Sequence, residues 1–260
     1  MSTLEVFRYE RKYLIPESQT ASVRRFVAGY LVPDRYMAGA GPSGYRVCSL
    51  YLDSPQLLLY RQTVDGVKNR YKLRVRFYDD QPGSPAFLEL KKRTTETIHK
   101  LRAMIAKSAV EPLLCGRRPS GAEVLSNSDA SNRALAEFCD SRERLQAGGI
   151  AFVDYRREAF VSSVAENVRA TFDRQIAGHG YRPGGGLTLE GSATPIASKG
   201  VVFELKYNGR APRWMHDLAN SFNLQRLSFP KYVHCLDAMQ AASPSFAARS
   251  RWGARQHELV

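Results

Sequence analysis

The feature that most constrains the fold is the strict alternation of charged and apolar residues in YKLRVRFYDD, residues 71–80. Three cations alternate there with three apolar residues: Lys72, Leu73, Arg74, Val75, Arg76 and Phe77. Successive side chains of a β-strand point to opposite faces, so the pattern predicts a strand with one apolar face and one row of cations. Such a strand has to bury one face while water or an anion accommodates the other.

Four further segments repeat this scheme, so it belongs to a whole sheet. RYERKYLI, FLELKKR, VRATFDRQ and VVFELKYNG each place charged residues on one face. These residues are, in chain order, Arg8, Glu10, Lys12, Glu89, Lys91, Arg169, Asp173, Glu204 and Lys206. The opposite faces are apolar, which indicates that other elements cover them.

Helical patterns lie between the predicted strands, without the regular β-α-β alternation of a parallel sheet. Apolar spacing predicts helices over 17–31, within 129–145, over 212–223 and over 232–240. The segments DGVKNR and QPGSP are turns on either side of the opening segment, and a hairpin with FLELKKR follows. We therefore expect an α+β protein in which an antiparallel β-barrel closes and helices pack outside it. Residues 1–243 are taken as one domain, and the basic segment 244–260 as a disordered tail.

Two interpretations of the charged faces are open. One is a sandwich with a solvated outer face, which is the commoner origin of such alternation. The other is a closed sheet around an ionic interior, with helices on the apolar outside. Arg and Lys dominate these faces, whereas a solvated surface usually contains Ser, Thr and Gln as well. This difference favours the second interpretation, a closed sheet around an ionic interior. Buried cations require counter-charges, and phosphate chains suit them because Arg binds phosphate oxygens as a fork and Lys as a point charge.

Composition agrees with an anionic partner. The net charge is +13 and the pI about 9.8, which favours nucleic acid, phosphorylated ligands or anionic lipid. Four cysteines without CxxC spacing are typical of reduced thiols, no signal peptide is visible, and no segment has the length of a transmembrane helix. These features predict a cytoplasmic protein. Neither a Walker P-loop nor a GxGxxG motif is present.

The ordered set of segments resembles the VTC domain, the polyphosphate polymerase branch of the CYTH-like, or triphosphate tunnel metalloenzyme, superfamily. The resembling segments, from Phe7 to about Met239, are RYERKYLI, SLYLDS, NRYKLRVRFY, FLELKKR, DYRREAFVS, NVRATFDRQI, VVFELKYNG and FPKYVHCL. The wider superfamily opens with ExExK, whereas this chain has Arg8-x-Glu10-x-Lys12. That departure points to the VTC branch.

The resemblance implies a role for each matching residue. It implies binding of the nucleotide triphosphate or the product chain by Lys12, Arg74, Arg76, Lys91 and Lys100, with further phosphate-binding arginines at Arg157 and Arg169. It implies a metal-binding carboxylate at Glu204. Glu10 either supports the metal there or pairs with a neighbouring lysine. Glu89 is expected to pair with neighbouring lysines. Lys231 matches a lysine near the tunnel end, where Pro230 replaces a serine of the family and Ser228 is a candidate substitute.

The function that the resemblance implies is transfer of the ATP γ-phosphate to a growing polyphosphate chain, with Mn²⁺ or Mg²⁺ as cofactor. Hydrolysis of tripolyphosphate or of a nucleotide in the same tunnel is an alternative. A non-catalytic module that binds polyphosphate or inositol phosphates is another. General RNA binding is disfavoured because interleaved exposed aromatics are missing. Any membrane partner has to be another chain.

Overall fold

The computed structural model of the protein describes residues 8–41, 43–94, 97–163, 168–189, 192–197 and 200–243, so the predicted tail over 244–260 lies outside the described residues. Ten strands are described: β1 Arg8–Ile15, β2 Val32–Pro33, β3 Tyr45–Asp53, β4 Arg70–Phe77, β5 Pro85–Thr94, β6 Thr97–Ala106, β7 Gly148–Val161, β8 Arg169–Gly180, β9 Thr194–Pro195 and β10 Val201–Asn208. Six α-helices accompany them: α1 Glu17–Ala28, α2 Leu58–Val64, α3 Val110–Leu114, α4 Asp129–Leu145, α5 Arg213–Ser221 and α6 Lys231–Ala242. Single 3₁₀ turns lie at Arg35–Met37, Lys107–Ala109 and Gly121–Glu123.

All ten strands belong to one antiparallel sheet. Its main order is β1-β10-β8-β7-β3-β4-β5-β6, while β2 pairs with β7 and β9 with β8. The predicted hairpin is confirmed, because β4 pairs with β5. The register also sets opposite charges side by side, as where Lys12 lies opposite Glu204 and Arg157 opposite Asp173. The alternation is therefore in phase from strand to strand, and one face of the sheet collects the charge.

The sheet curls so that its charged face becomes the inside of a half-barrel. The predicted closed barrel is not confirmed, because β1 and β6 are the two edges of the hydrogen-bonded sheet within the described ranges. Side chains bridge the opening instead, since Lys91 Nζ of β5, the strand beside the β6 edge, lies 2.7 Å from Glu10 Oε1 of β1. Alternation along a strand cannot distinguish this ionic seam from closure by backbone hydrogen bonds.

The apolar faces of the strands lie outside the curl, where helices cover them as predicted. One outer cluster contains Phe138 of α4 and Leu73 of β4, both fully buried. A second contains Val23 of α1 and Leu218 of α5 together with Phe203 of β10. Full burial of side chains of this size stabilises a fold by about 1.5–3 kcal/mol each. The outer layers thus supply the apolar core that a charged interior cannot provide.

Helix α6 is the exception to the predicted arrangement, because it packs on the charged side of the sheet. Its Tyr232 and Leu236 cluster with Val153 and Val202, which share the interior face of their strands with Arg157 and Glu204. Burial on several sides suits its sequence, since its buried residues are Lys231, Tyr232, Val233, Cys235, Leu236 and Met239. Helix α6 therefore fills one end of the half-barrel and ends the remaining space at Lys231.

Strand β6 is absent from the elements that the sequence predicts. Its sequence does alternate, with Leu101, Ala103 and Ile105 on the apolar side and Lys100 and Arg102 on the interior side. The strand pairs with β5 and places Arg102 opposite Glu89. Its inclusion turns Lys100, which the sequence leaves open as a surface charge, into a residue of the interior.

Gly178 of β8 is the point of closest approach for α6. A Cβ there would lie 2.6 Å from Met239 Sδ and 3.0 Å from Cys235 Cβ. We expect Gly178→Ala to displace α6 and lower the free energy of unfolding by about 1–3 kcal/mol, the usual cost of overpacking. Gly83→Ala is the matched control, because a Cβ at Gly83 meets nothing within 4 Å. Urea denaturation followed by circular dichroism measures both, and an unchanged midpoint for Gly178→Ala would contradict this packing.

Candidate active site: a basic cavity inside the half-barrel

The half-barrel encloses a cavity of about 260 Å³ with a lining dominated by cations. Each of the eight long strands contributes at least one lining side chain, and α6 adds one more. The basic residues of the lining are Lys12, Lys72, Arg74, Arg76, Lys91, Lys100, Arg102, Arg157, Arg169, Lys206 and Lys231. Among the described residues, Glu10 and Glu204 are the two carboxylates that reach the same surface.

The charges of this interior do not balance. Within the described residues, five carboxylates form ion pairs with ten of the eleven lining cations, all but Lys72: Glu10, Asp34, Glu89, Asp173 and Glu204. With every group ionised, the described interior keeps an excess of six positive charges. Like charges gathered in a space of low dielectric repel strongly, and a multivalent anion is the ligand that removes this cost.

Glu89 is the centre of the first ionic cluster and is fully buried. Its carboxylate lies 2.6 Å from Arg74 Nη2 and 2.6 Å from Lys100 Nζ, with Arg76 at 3.8 Å and Arg102 at 3.4 Å. Burial alone would raise the pKa of Glu89, but the surrounding cations outweigh it and hold that pKa well below its usual value. A permanently ionised Glu89 therefore fixes the arginines of β4 in the absence of substrate.

The second ionic cluster joins Asp173 and Glu204 to four cations, of which Lys12 lies 3.6 Å from Glu204. Arg157 donates to both oxygens of Asp173 at 2.6 and 2.7 Å. Lys231 Nζ lies 2.7 Å from Asp173 and 3.1 Å from Glu204, which Lys206 also approaches at 2.9 Å. Burial would raise the pKa of each carboxylate, yet these cations lower both pKa values. Both acids are thus ionised, and α6 is tied to the sheet through Lys231.

A row of lysines runs across β4, β5 and β6 with less compensation. Lys72, Lys91 and Lys100 are direct neighbours across β4, β5 and β6, an arrangement that repels. Burial, the largest cause, lowers the pKa of Lys91 to about 8 and that of Lys100 to about 7 in spite of their carboxylate partners. Burial followed by repulsion from Lys12 and Lys91 lowers the pKa of Lys72. This row gains most from a bound anion.

The structure brings together ten of the eleven site residues that the sequence predicts. These are Glu10, Lys12, Arg74, Arg76, Lys91, Lys100, Arg157, Arg169, Glu204 and Lys231. Ser228, the eleventh, is exposed and does not line the cavity, because β-bridging at Arg226 and burial of Phe229 set the chain direction there. Of the adjacent pair Arg156 and Arg157, Arg157 is the inward residue and Arg156 is exposed.

Three cations of the lining are missing from the predicted site: Lys72, Arg102 and Lys206. Each has a sequence signal, because each alternates with apolar residues in phase with a predicted site residue. Lys72 precedes Arg74 by two positions, Arg102 follows Lys100 by two, and Lys206 follows Glu204 by two. Once each strand is assigned, the alternation of charged and apolar residues identifies all three cations. Comparison with the family motif does not identify them.

The carboxylates fit a divalent ion that arrives with phosphate. Mg²⁺ is usually held by one or two carboxylates together with substrate phosphates, and Glu204 with Glu10 supplies that number. Lysines already neutralise both carboxylates. The described part of the chain has no group of three His, Cys, Asp or Glu side chains placed to hold a metal. The donor set therefore suits a metal–phosphate complex better than a metal bound by protein alone.

A model of the VTC domain family matches residues 7–240 of this sequence. The match spans most of the chain, so the protein belongs to the VTC domain family. A search of curated protein sequences gave no significant match. None of the helices in the described ranges has the length and apolar character needed to cross a membrane.

Several solved structures are similar to this chain at low identity. The adenylate-cyclase-like protein bh2851 of Bacillus halodurans has 13% identity and a TM-score of 0.46, over 86% of this chain and 95% of its own. PH1819 of Pyrococcus horikoshii OT3 has 11% identity and a TM-score of 0.45, over 90% of this chain and 99% of its own. HpAC1 of Hippeastrum is an adenylyl-cyclase-like protein with a dominant triphosphatase activity. It has 13% identity and a TM-score of 0.42, over 89% of this chain and 95% of its own. All three TM-scores lie below 0.5.

Glu89→Gln tests the first ionic cluster. We expect the free energy of unfolding to fall by about 3–5 kcal/mol, because a buried ion pair that loses one partner leaves uncompensated charge. Glu137→Gln, which breaks the exposed pair with Lys92, should cost less than about 1 kcal/mol. Urea denaturation measures both, and added tripolyphosphate should restore part of the loss in Glu89→Gln. Similar small losses in the two variants would refute a structural role for Glu89.

The low pKa of Lys100 predicts a pH dependence of anion binding. Its pKa is about 7 because of burial, so Lys100 loses its charge as the pH rises through neutrality. Tripolyphosphate binds the charged form, and its Kd should therefore rise about tenfold between pH 6 and pH 8.5 in metal-free buffer. Lys100→Arg keeps its charge over this range and should flatten that step. Isothermal titration calorimetry across the range measures both proteins, and identical profiles would show that Lys100 does not contribute.

Proposed function

We propose that this protein is a polyphosphate polymerase-like phosphotransferase that moves the γ-phosphate of ATP to a growing polyphosphate chain in its basic cavity. The observation that carries the proposal is the charge excess of the interior, where eleven lining cations meet five carboxylates. Membership of the VTC domain family supports it. A phosphate chain is elongated and carries a high density of negative charge, which matches that positive excess.

The arginines are suited to hold the triphosphate in one position. Arg74 donates to Tyr51 at 3.0 Å in addition to Glu89, and Arg76 donates to Ser49 at 3.2 Å. These contacts orient the guanidinium groups before substrate binds. Phosphoryl transfer depends on positioning and charge stabilisation more than on covalent help from the protein, so donors fixed in advance are the main requirement.

The acid–base character of the carboxylates in the lining favours a phosphate acceptor over water. Water needs a base to become a good nucleophile, whereas a terminal phosphate oxygen is already ionised. Burial would raise the pKa of Glu10, but Lys91 and Lys206 hold it well below its usual value, as cations do for Glu204. The two lining carboxylates of the described chain are therefore weak bases, which supports transfer over hydrolysis.

Glu204 with Glu10 beside it would hold Mn²⁺ or Mg²⁺ together with the phosphates. When bound, such an ion supplies neutralisation of charge on the phosphate oxygens. Lys206 and Lys231 contribute by keeping Glu204 ionised, as a metal ligand has to be. The lysine row contributes point charges that bind a phosphate chain without fixing its register, which suits a chain that grows.

The purified protein incubated with ATP and Mn²⁺ tests the proposal. We expect polyphosphate chains that stain on a gel, and a loss of at least about tenfold in rate for Glu204→Gln, because a metal ligand and its charge are removed. Metal-free binding of tripolyphosphate, measured in parallel, should stay within about twofold in Glu204→Gln and fall by more than tenfold in Arg74→Ala.

Three outcomes of this assay would count against the proposal. Orthophosphate as the sole product identifies a hydrolase. Tight binding of tripolyphosphate without turnover identifies a binding module. Unchanged activity in Glu204→Gln removes this residue from the metal site, since loss of a metal ligand has to lower the rate.

A further inference from the structure

We propose that three tyrosines at the rim of the cavity form a platform on which the base of a nucleotide stacks while its phosphates lie among the arginines. This inference rests on the proposed function and adds a second recognition element to it. The platform consists of Tyr36, Tyr45 and Tyr78, and all three line the cavity. It makes the protein select a nucleoside triphosphate over an inorganic one.

The three rings form a compact aromatic surface drawn from three parts of the chain. Tyr36 belongs to the 3₁₀ turn, Tyr45 begins β3, and Tyr78 follows β4. The rings of Tyr36 and Tyr78 are almost parallel, with an interplanar angle of 6° and centroids 6.3 Å apart. Tyr45 is tilted by 56° to Tyr36 and by 58° to Tyr78. Tyr36 is 55% exposed, so the platform offers an open aromatic face to solvent.

The hydroxyl groups of the platform are already used. Arg35 donates to the hydroxyl of Tyr36 at 2.6 Å, Arg169 to that of Tyr45 at 3.1 Å, and Arg102 to that of Tyr78 at 3.3 Å. Arg35 also lies over the ring of Tyr36, 4.7 Å from its centroid, so the exposed remainder of the ring surfaces is what a base can use. An aromatic face carries partial negative charge and does not attract phosphate, whereas a flat base stacks on it favourably.

The platform is fixed relative to the phosphate-binding arginines. Asp34 accepts a hydrogen bond from the backbone N–H of Tyr36 at 3.0 Å, and its other oxygen lies 2.5 Å from Arg169 Nη2. One buried carboxylate thus positions both the turn that carries Tyr36 and a cation of the cavity lining. A ligand with a planar ring at one end and phosphates at the other matches this arrangement. An inorganic phosphate chain has no group that could use the ring faces.

Binding of ATP and of inorganic tripolyphosphate, compared by titration calorimetry without metal, tests the platform. Stacking on an aromatic side chain contributes about 1–3 kcal/mol per base, which corresponds to about 5- to 150-fold in Kd. We expect Tyr36→Ala to weaken ATP binding within that range and to change tripolyphosphate binding less than twofold. Tyr36→Phe keeps the ring and should bind ATP almost like the wild type.

Tyr30→Ala is the matched control for loss of an exposed, stacked tyrosine. Tyr30 is 51% exposed and stacks on Trp214 with centroids 5.0 Å apart, and it is not part of the cavity lining. Equal weakening of both ligands in Tyr36→Ala, or unchanged ATP binding in a variant with a wild-type unfolding midpoint, would overturn the platform. Tripolyphosphate that binds the wild type and is lost in Arg74→Ala keeps the proposed function intact in that event. A wild type that binds neither ligand refutes both.

Discussion

Ion pairing between buried carboxylates and cations is the interaction on which the rest of this structure depends. Glu89, Asp173 and Glu204 are each almost inaccessible to water, and each contacts at least two cations. Without them the strands could not turn their charged faces toward one another, because repulsion between lysines and arginines at such distances costs several kcal/mol per pair. A carboxylate also bridges the open side of the sheet, since Glu10 of β1 meets Lys91 of β5.

The buried carboxylates neutralise only part of the positive charge of the interior, and the positive charge that remains defines the site. Carboxylates fix the arginines at the centre of the cavity, so those guanidiniums are oriented before any ligand binds. The lysine row along Lys72, Lys91 and Lys100 has lowered pKa values because burial is not fully offset. One interior therefore combines rigid donors that define a position with adaptable charges that attract a polyanion.

The fold could be predicted from the sequence where periodicity carries the information. Strands of alternating character, such as RYERKYLI and VVFELKYNG, lie where they are expected, and Lys12 and Lys206 of their polar faces line the cavity. Strand β6 could have been found in the same way, because Lys100 and Arg102 alternate with Leu101 and Ala103. The position of α6 inside the half-barrel could not, because an apolar helix is equally compatible with any buried surface, and Gly178 on a distant strand decides where it packs.

The tyrosine platform is a further feature that tertiary packing decides and sequence periodicity does not predict. Tyr36, Tyr45 and Tyr78 are unremarkable in the sequence, since each belongs to a different element and none forms a motif with another. Their assembly depends on the curl of the sheet and on Asp34, which joins a turn to a strand eleven elements later along the chain. Contacts between elements of such separation leave no local pattern for the sequence to display.

The sequence by itself determined which face of each strand is charged, the ionic character of the interior and membership of the VTC domain family. Those properties follow from residue order, because side-chain direction along a strand is fixed by covalent geometry. Only the tertiary structure decided that the sheet stays open between β1 and β6, that α6 closes one end from within, and which carboxylate serves which cation. Those outcomes depend on the curl of the sheet and on distances between side chains remote in sequence, where packing and Coulomb energy act together.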